Sequence, residues 1–217
     1  MERYVEPTWK AARRKRILDS SFEMFSERGI DLVSVEEIAK ECGVTRVTIY
    51  NYFPSKLDLV IGVGAAKWRE YFDEMMKKHP RSATDALTAK EHFEFYLDCF
   101  IDLYKKRREL LRFNQYFNLY VKSAKATEQQ MTPYTEAIGI LRKGYGRLFE
   151  KAKNDGTLRT DIAEETMFSA VLHIMLAAVT RYASGLVYAP DSGADPGEEL
   201  LMLKEMLLHK FSICTEV

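Results

Sequence analysis

Thr45, Arg46, Val47 and Thr48 stand in a row, with Tyr50, Tyr52 and Lys56 close behind, in the stretch "GVTRVTIYNYFPSKLDL". From Thr45 to Lys56, twelve residues hold two threonines, an arginine, two tyrosines, a serine and a lysine. Donors at that density suit a polyanion with readable edges, and duplex DNA is such a partner. An arginine fork can engage both acceptors of guanine in the major groove, worth about 1–3 kcal/mol of discrimination. Val47 and the threonine methyls can pack on thymine methyls. Tyr50, Tyr52 and Lys56 suit phosphate oxygens, contacts that fix position without reading sequence. Tyr50 also fits a packing role, its ring half-buried and its hydroxyl in solvent.

Such side chains need a rigid mount. Two short helices joined across "CGVT" have the pattern of a helix-turn-helix, with Gly43 in the tight turn, Ala39 where the helices touch and Val44 as an apolar pin. "SVEE", Ser34 to Glu37, is a capping box that opens the first of them. Thr45 caps the second, which runs to about Tyr52 and presents Thr45, Arg46 and Thr48 at the end that reaches base edges. The helix N-termini at Ser34 and Thr45 add backbone donors for anions. Upstream, Ile17, Leu18, Ser21, Phe22 and Phe25 share one helical face, and Gly29 is placed to end that helix. Downstream of Pro54, Ser55 with Asp58 caps a longer helix through about Lys78.

The rest of the chain keeps the helical period. Phe93, Leu97, Phe100, Ile101 and Tyr104 form one stripe, and Leu110, Phe113, Phe117 and Tyr120 another. "SAKATEQQMTP", Ser123 to Pro133, reads as a polar connector. A further helix carries Ile138, Leu141, Tyr145, Leu148 and Phe149 and ends at "NDG". Glu165 to about Tyr188 is apolar on two faces, which calls for burial on both sides. "APDSGADPGEE" reads as a loop, and Leu200, Leu203, Leu207 and Phe211 make a last stripe. No segment alternates with period two. The fold class is all-α, roughly nine to ten helices, with an N-terminal three-helix helix-turn-helix domain at residues 10–70 and a larger helical domain at 71–217.

Lysine plus arginine equals aspartate plus glutamate, 32 each, so affinity for a polyanion must come from local clustering. Residues 10–16, "KAARRKR", supply it with five cations and no anion. Cys42, Cys99 and Cys214 are far apart and form no CxxC pair, which suggests neither a disulfide framework nor a zinc site. His79, His92, His173 and His209 show no metal spacing. No nucleophile–base pair or cofactor loop is visible, so neither catalysis nor a cofactor is expected. The N-terminus has no apolar segment of the signal-peptide kind. The longest run without Asp, Glu, Lys or Arg, Thr166 to Thr180, is 15 residues, short of the ~20 that span a bilayer. A cytoplasmic protein without a membrane segment is expected.

Ile17 to Leu59 resembles the DNA-binding domain of the tetracycline-repressor (TetR) family, most densely in "SVEEIA", in "GVTRVTIYNYF" and in the "SK" that opens the next helix. The resemblance implies base contacts by Thr45, Arg46, Val47 and Thr48, phosphate contacts by Tyr50, Tyr52 and Lys56, and Ser34 at the phosphate-facing start of its helix. Glu36 stands where some members carry a basic residue used on DNA, so no base readout is expected from the first helix of the motif. The resemblance further implies a homodimer through the last two long helices, a palindromic double-stranded operator, and repression relieved by a small-molecule effector held in residues 71–217. Rivals are a ligand-independent DNA-binding protein and an enzyme with an accessory DNA-binding head.

For the effector, Tyr96, Phe100, Tyr104, Phe113, Phe117, Tyr120, Tyr145 and Met175 are the candidate lining, since such pockets are apolar and aromatic with a few polar groups. Each of these residues fits plain core packing as well. Gly139, Gly144 and Gly146, unusual inside a helix, either leave room for a ligand or let helices pack closely. Cys42, beside the turn, is either a small buried residue or a point where oxidation alters DNA binding.

Overall fold

The computed structural model describes residues 8–186 and 195–213. Pro7, Tyr188, Pro190 and Cys214 lie outside them. Ten α-helices occur among the described residues: α1 Thr8–Arg28, α2 Val35–Glu41, α3 Arg46–Tyr52, α4 Lys56–Lys78, α5 Arg81–Asp85, α6 Ala89–Lys106, α7 Arg108–Ser123, α8 Glu128–Asp155, α9 Glu164–Ala183 and α10 Pro196–Phe211. The expected all-α architecture holds, and the only extended pairing described is an isolated bridge between Leu158 and Ser212.

The punctuation works through local chemistry. Gly29 follows α1 at φ 86° and Gly156 follows α8 at φ 66°, left-handed positions where glycine has no Cβ to strain. Ser55 opens α4: its Oγ accepts the Asp58 amide at 3.1 Å and donates to the Asp58 carboxylate at 2.6 Å.

Three boundaries differ from the sequence reading. Residues 123–133 are not a connector throughout, because α8 begins at Glu128 and contains Pro133. The start signal was a Thr–Gln capping box hidden in a polar run: Thr127 Oγ1 accepts the Gln130 amide at 3.3 Å, and Gln130 Oε1 accepts the Thr127 amide at 3.1 Å. The second difference is α9, which ends at Ala183, followed by Gly185 at φ 69°. Third, α10 begins at Pro196 under an Asp195 cap, so "PGEE" is helix rather than loop.

The chain divides into two compact units that are not continuous in sequence. One comprises Met1–Arg69 and Arg112–Ala137, the other Glu70–Leu111 and Ile138–Val217. In the first, Ile17, Leu18 and Phe25 of α1 are buried, as are Ile38 of α2, Ile49 of α3, Phe53, and Leu59 and Val63 of α4. Phe113 packs against Phe22 with ring centroids 5.5 Å apart, and Phe117 stacks on Tyr134 at 4.3 Å. Lys67, largely buried, meets the Asp19 carboxylate at 2.5 Å.

This unit also contains the tight glycines. A Cβ on Gly62 would lie 2.9 Å from the Phe53 ring, and one on Gly64 would lie 3.0 Å from Tyr134 and 3.1 Å from Phe117. Gly139, Gly144 and Gly146 face no comparable crowding: a Cβ on Gly139 meets nothing within 4 Å, and the nearest atom to one on Gly146 is a Glu164 oxygen at 3.5 Å. Close helix packing among the described residues of this chain therefore does not explain those three.

In the second unit, Phe93, Leu97 and Phe100 of α6 are buried, with Met167, Val171, Met175 and Val179 of α9 and Leu200, Leu207 and Phe211 of α10. Lys204 of α10 reaches Glu94 at 2.9 Å and Asp98 at 2.8 Å, both on α6. Arg142 of α8 pairs with Glu164 and Glu165 in the first turn of α9. By length and composition α9 is apolar enough to cross a membrane, more so than its 15-residue uncharged run implied. One face of it is nonetheless core, as in a buried helix of a folded domain.

Candidate nucleic-acid interface

The local scaffold of the motif forms as its residues dictate. The Ser34 hydroxyl accepts the Glu37 amide at 3.2 Å, and the Glu37 carboxylate accepts the Ser34 amide at 2.8 Å. Arg28 donates to the other Glu37 oxygen at 2.7 Å. The Ser34 amide first, and Arg28 next, hold the Glu37 carboxyl down at about 2. Gly43, at φ 63°, makes the turn, and the Val44 amide returns to the Ala39 carbonyl at 2.9 Å. Thr45 caps α3 by accepting the Thr48 amide at 3.2 Å.

The seven residues of α3 then present two opposed faces. Ile49 is 1% exposed and pins the helix to the core, while Val47 is 68% exposed. Thr45 and Arg46 are also exposed, and Thr48, Tyr50 and Tyr52 are half-buried. The four residues expected to meet bases thus share the outward, N-terminal part of α3. Phe53 is 3% exposed and belongs to the core.

Arg46 is held in place. Its Nη1 pairs with the Glu36 carboxylate, its Nη2 donates to the Tyr50 hydroxyl at 3.2 Å, and its guanidinium carbon lies 5.2 Å from the Tyr50 ring centroid. In the sequence Glu36 stands out only as a departure from the family pattern. Its pairing with a residue ten positions away depends on how α2 meets α3.

Lys56 is also engaged. Its Nζ donates to the Ile30 carbonyl at 2.6 Å and lies 5.5 Å from the Tyr120 ring centroid. Burial pushes its pKa down. The side chain therefore ties the start of α4 to the α1–α2 loop, a partner 26 residues upstream that no local pattern reveals.

Residues 10–16 lie within α1, and Ala11 to Arg16 are exposed. Lys10 Nζ sits 5.9 Å from the Tyr52 ring and the Arg14 guanidinium 5.1 Å from the Phe53 ring, so this cationic turn lies against the C-terminal end of α3. Cys42 is 2% exposed, and burial raises its thiol pKa, which fits an inert packing residue better than a redox one.

The eight candidate ligand residues divide between the two units. Phe113, Phe117 and Tyr120 fall in the first, where Phe113 and Phe117 are core beside α1 and α8. Tyr96, Phe100, Tyr104, Tyr145 and Met175 fall in the second. There the Tyr96 ring lies 5.6 Å from Phe100 and 5.6 Å from Tyr145, and Tyr145 lies 5.1 Å from Phe168. Neither the Tyr96 nor the Tyr145 hydroxyl has a hydrogen-bond partner among the described residues, and burial raises both pKa values. Tyr104 packs under Arg108 at 4.5 Å, and Met175 is fully buried. A separate groove of about 430 Å³ between α6 and the end of α4 is lined by Tyr71, Met75, His79, Phe95 and Cys99 among others, none of them among the eight.

Apolar side chains left exposed on the last two helices include Ile174, Leu201, Met202 and Met206. Phe168, Leu172 and Leu176, the second apolar face of α9, are half-buried.

Comparison with known proteins agrees with this geometry. Residues 17–63 match the family described as bacterial regulatory proteins, tetR family. The HTH-type transcriptional repressor KstR2 of Rhodococcus jostii is 24% identical over 176 residues, 81% of this chain and 82% of that protein. A putative transcriptional regulator from Saccharomonospora viridis, solved in complex with choline, superposes with a TM-score of 0.69 at 19% identity, covering 94% of this chain and 99% of that one. FadR from Bacillus subtilis, in complex with stearoyl-CoA, gives 0.67 at 19% identity, covering 89% and 97%. At these identities the two structures show the fold.

Proposed function

Because the chain belongs to the TetR family of bacterial transcriptional regulators, we propose that it is a homodimeric repressor released from a palindromic operator by a small, partly apolar molecule. The outward face of α3 carries this reading: Thr45, Arg46, Val47 and Thr48 stand exposed or half-exposed on a helix pinned from behind by Ile49. Two such helices, one per protomer, enter successive major grooves about one helical turn apart. Tyr50, Tyr52 and the helix start at Ser34 meet phosphates, and the cations of residues 10–16 grip the flanking backbone. Lys56 meets phosphate as well, since the bond to the Ile30 carbonyl uses one of the three donors of its ammonium. The protein works in the cytoplasm, where the operator is.

In this reading residues 10–70 bind DNA, and residues 71–217 bind the effector and dimerise. Ile174, Leu201, Met202 and Met206, large apolar side chains left exposed on α9 and α10, support dimerisation through those helices. Tyr96 and Tyr145 supply the polar end of an effector site with Phe100, Tyr104 and Met175 as its apolar part. Two buried phenols without partners suit an acceptor group such as a carbonyl on an otherwise apolar molecule. Stearoyl-CoA, the ligand named for the Bacillus subtilis structure, has such a carbonyl. Movement of α4, which begins beside α3 and ends at Lys78, alters the separation of the two reading helices. Ligand and operator then oppose each other through a coupling free energy, typically about 1–3 kcal/mol.

Selection from a random duplex library at near-physiological salt tests the first half. A two-fold symmetric consensus that degrades with Arg46→Ala is expected, and an unselective protein would instead be the ligand-independent DNA binder. Titration of the selected operator complex with acyl and ketone compounds tests the second half. No change in operator affinity across that set would remove the effector from the proposal.

A further inference from the structure

We propose that Glu36 is a specificity-determining residue: its carboxylate holds the Arg46 guanidinium and itself receives the amino group of a cytosine or adenine beside the guanine that Arg46 reads. The inference rests on the reading of α3 as the base-contacting helix, and it replaces the expectation that α2 takes no part in base recognition.

Glu36 lies in the first turn of α2, where a negative charge suits the positive end of the helix, but the one side chain it pairs with is on α3. Its neighbour Glu37 turns inward to the capping box and to Arg28. Glu36 instead leaves α2 and pairs with Arg46 at the start of α3. Both side chains are about half exposed, 56% and 55%. An ion pair that wet adds little to stability, so its consequence is to be sought where its groups point. Arg46 is fixed from two sides, by Glu36 on Nη1 and by Tyr50 on Nη2 and beneath its plane. A guanidinium already held in one rotamer loses less freedom on docking to a base, which sharpens its preference for the fork of acceptors on guanine.

The carboxylate adds a second, opposite rule. An ionised glutamate only accepts hydrogen bonds. Beside it, O6 and N7 of guanine and O4 of thymine are repelled, whereas N4 of cytosine and N6 of adenine donate. Donor and acceptor side by side on the protein thus ask for acceptor and donor side by side in the groove. The cost is general affinity, because a carboxylate facing a polyanion weakens every complex, matched or not.

The test is a quantitative selection with the full-length protein and its Glu36→Gln variant, followed by competition binding on single-base operator variants. Glutamine keeps the shape, removes the charge and can both donate and accept. In the wild type, an amino-bearing base next to the Arg46 guanine is expected to be preferred about fivefold or more. Arg46→Ala identifies which guanine that is. With Glu36→Gln the preference at the neighbouring position collapses, the guanine preference weakens, and binding to random duplex tightens. Thermal unfolding of the variant should stay cooperative and lose at most the small contribution of that first-turn charge, separating recognition from folding. If Glu36→Gln changes all sequences by one common factor, or leaves each base preference within about twofold, Glu36 is only a surface charge and the inference falls. If the wild type selects no symmetric consensus, the reading of α3 fails first and takes this inference with it.

Discussion

Tyr50 and Tyr145 carry the same hydroxyl into opposite surroundings. Tyr50 is half-exposed, and its oxygen receives Arg46 at the edge of α3. Tyr145 is fully buried, and its hydroxyl has no partner among the described residues. Around Tyr50 the polar groups satisfy one another (Glu36, Arg46, Thr45, Thr48) and can exchange those contacts for DNA with water at hand. The Tyr145 and Tyr96 hydroxyls are buried without a partner among the described residues, and an unpaired buried hydroxyl costs about 1–3 kcal/mol. The outer region is arranged to be complete without its partner. The inner one leaves two hydroxyls unpaired among the described residues, which is why the proposed effector site is placed there.

The proposed dimer is where that contrast can be broken with the largest effect. Met202→Asp combined with Met206→Asp places charge on the exposed apolar surface of α10. Operator affinity should fall about 100-fold or more as the two half-sites lose their linkage, with far-ultraviolet dichroism unchanged and sedimentation showing monomers. An intact dimer would remove α10 from the interface.

Gly62→Ala comes next. The new methyl meets the buried Phe53 ring, and an overpacked core should lower unfolding stability by about 1–3 kcal/mol in denaturant titration. Gly139→Ala, with open space around its Cβ, should not.

Tyr145→Phe sharpens the contrast itself. Deleting a hydroxyl without a partner should raise stability by about 1 kcal/mol while blunting the response to effector. A loss of stability would mean that the hydroxyl is already satisfied.

The smallest effect is a titration. The Glu37 carboxyl should titrate near 2 by NMR, against 4.5 when unperturbed. Its contribution to stability is therefore complete above about pH 4.5 and disappears as the pH falls toward 2. Ser34→Ala should move that titration upward, since the Ser34 hydroxyl is one of its partners.

The two regions also differ in how far a linear reading carries. Between Ile17 and Leu59 nearly every local signal is spelled by neighbours within four residues: the Ser34–Glu37 box, the Gly43 turn, the Thr45 cap and the Ser55–Asp58 cap. Beyond that stretch the apolar stripes announce helices, but a capping box inside "SAKATEQQMTP" reads as loop because polar composition outweighs one Thr–Gln pair. The eight aromatic and apolar candidates for a pocket share a residue type, and type does not say which compact unit a residue joins. Phe113 and Phe117 turned out to pack with α1 and α8 rather than with Tyr96 and Tyr145.

By itself the sequence determined the helical class, the position of the helix-turn-helix and which end of α3 faces outward. Those properties follow from backbone hydrogen bonds and side-chain periods that repeat every three or four residues. Only the tertiary structure decided that Arg46 is held by Glu36, that Lys56 is tied to Ile30, that Gly62 and Gly64 rather than Gly139 are crowded, and that two buried tyrosine hydroxyls lack partners among the described residues. Each of those depends on groups brought together from separate helices, where packing in three dimensions, not spacing along the chain, sets the distance.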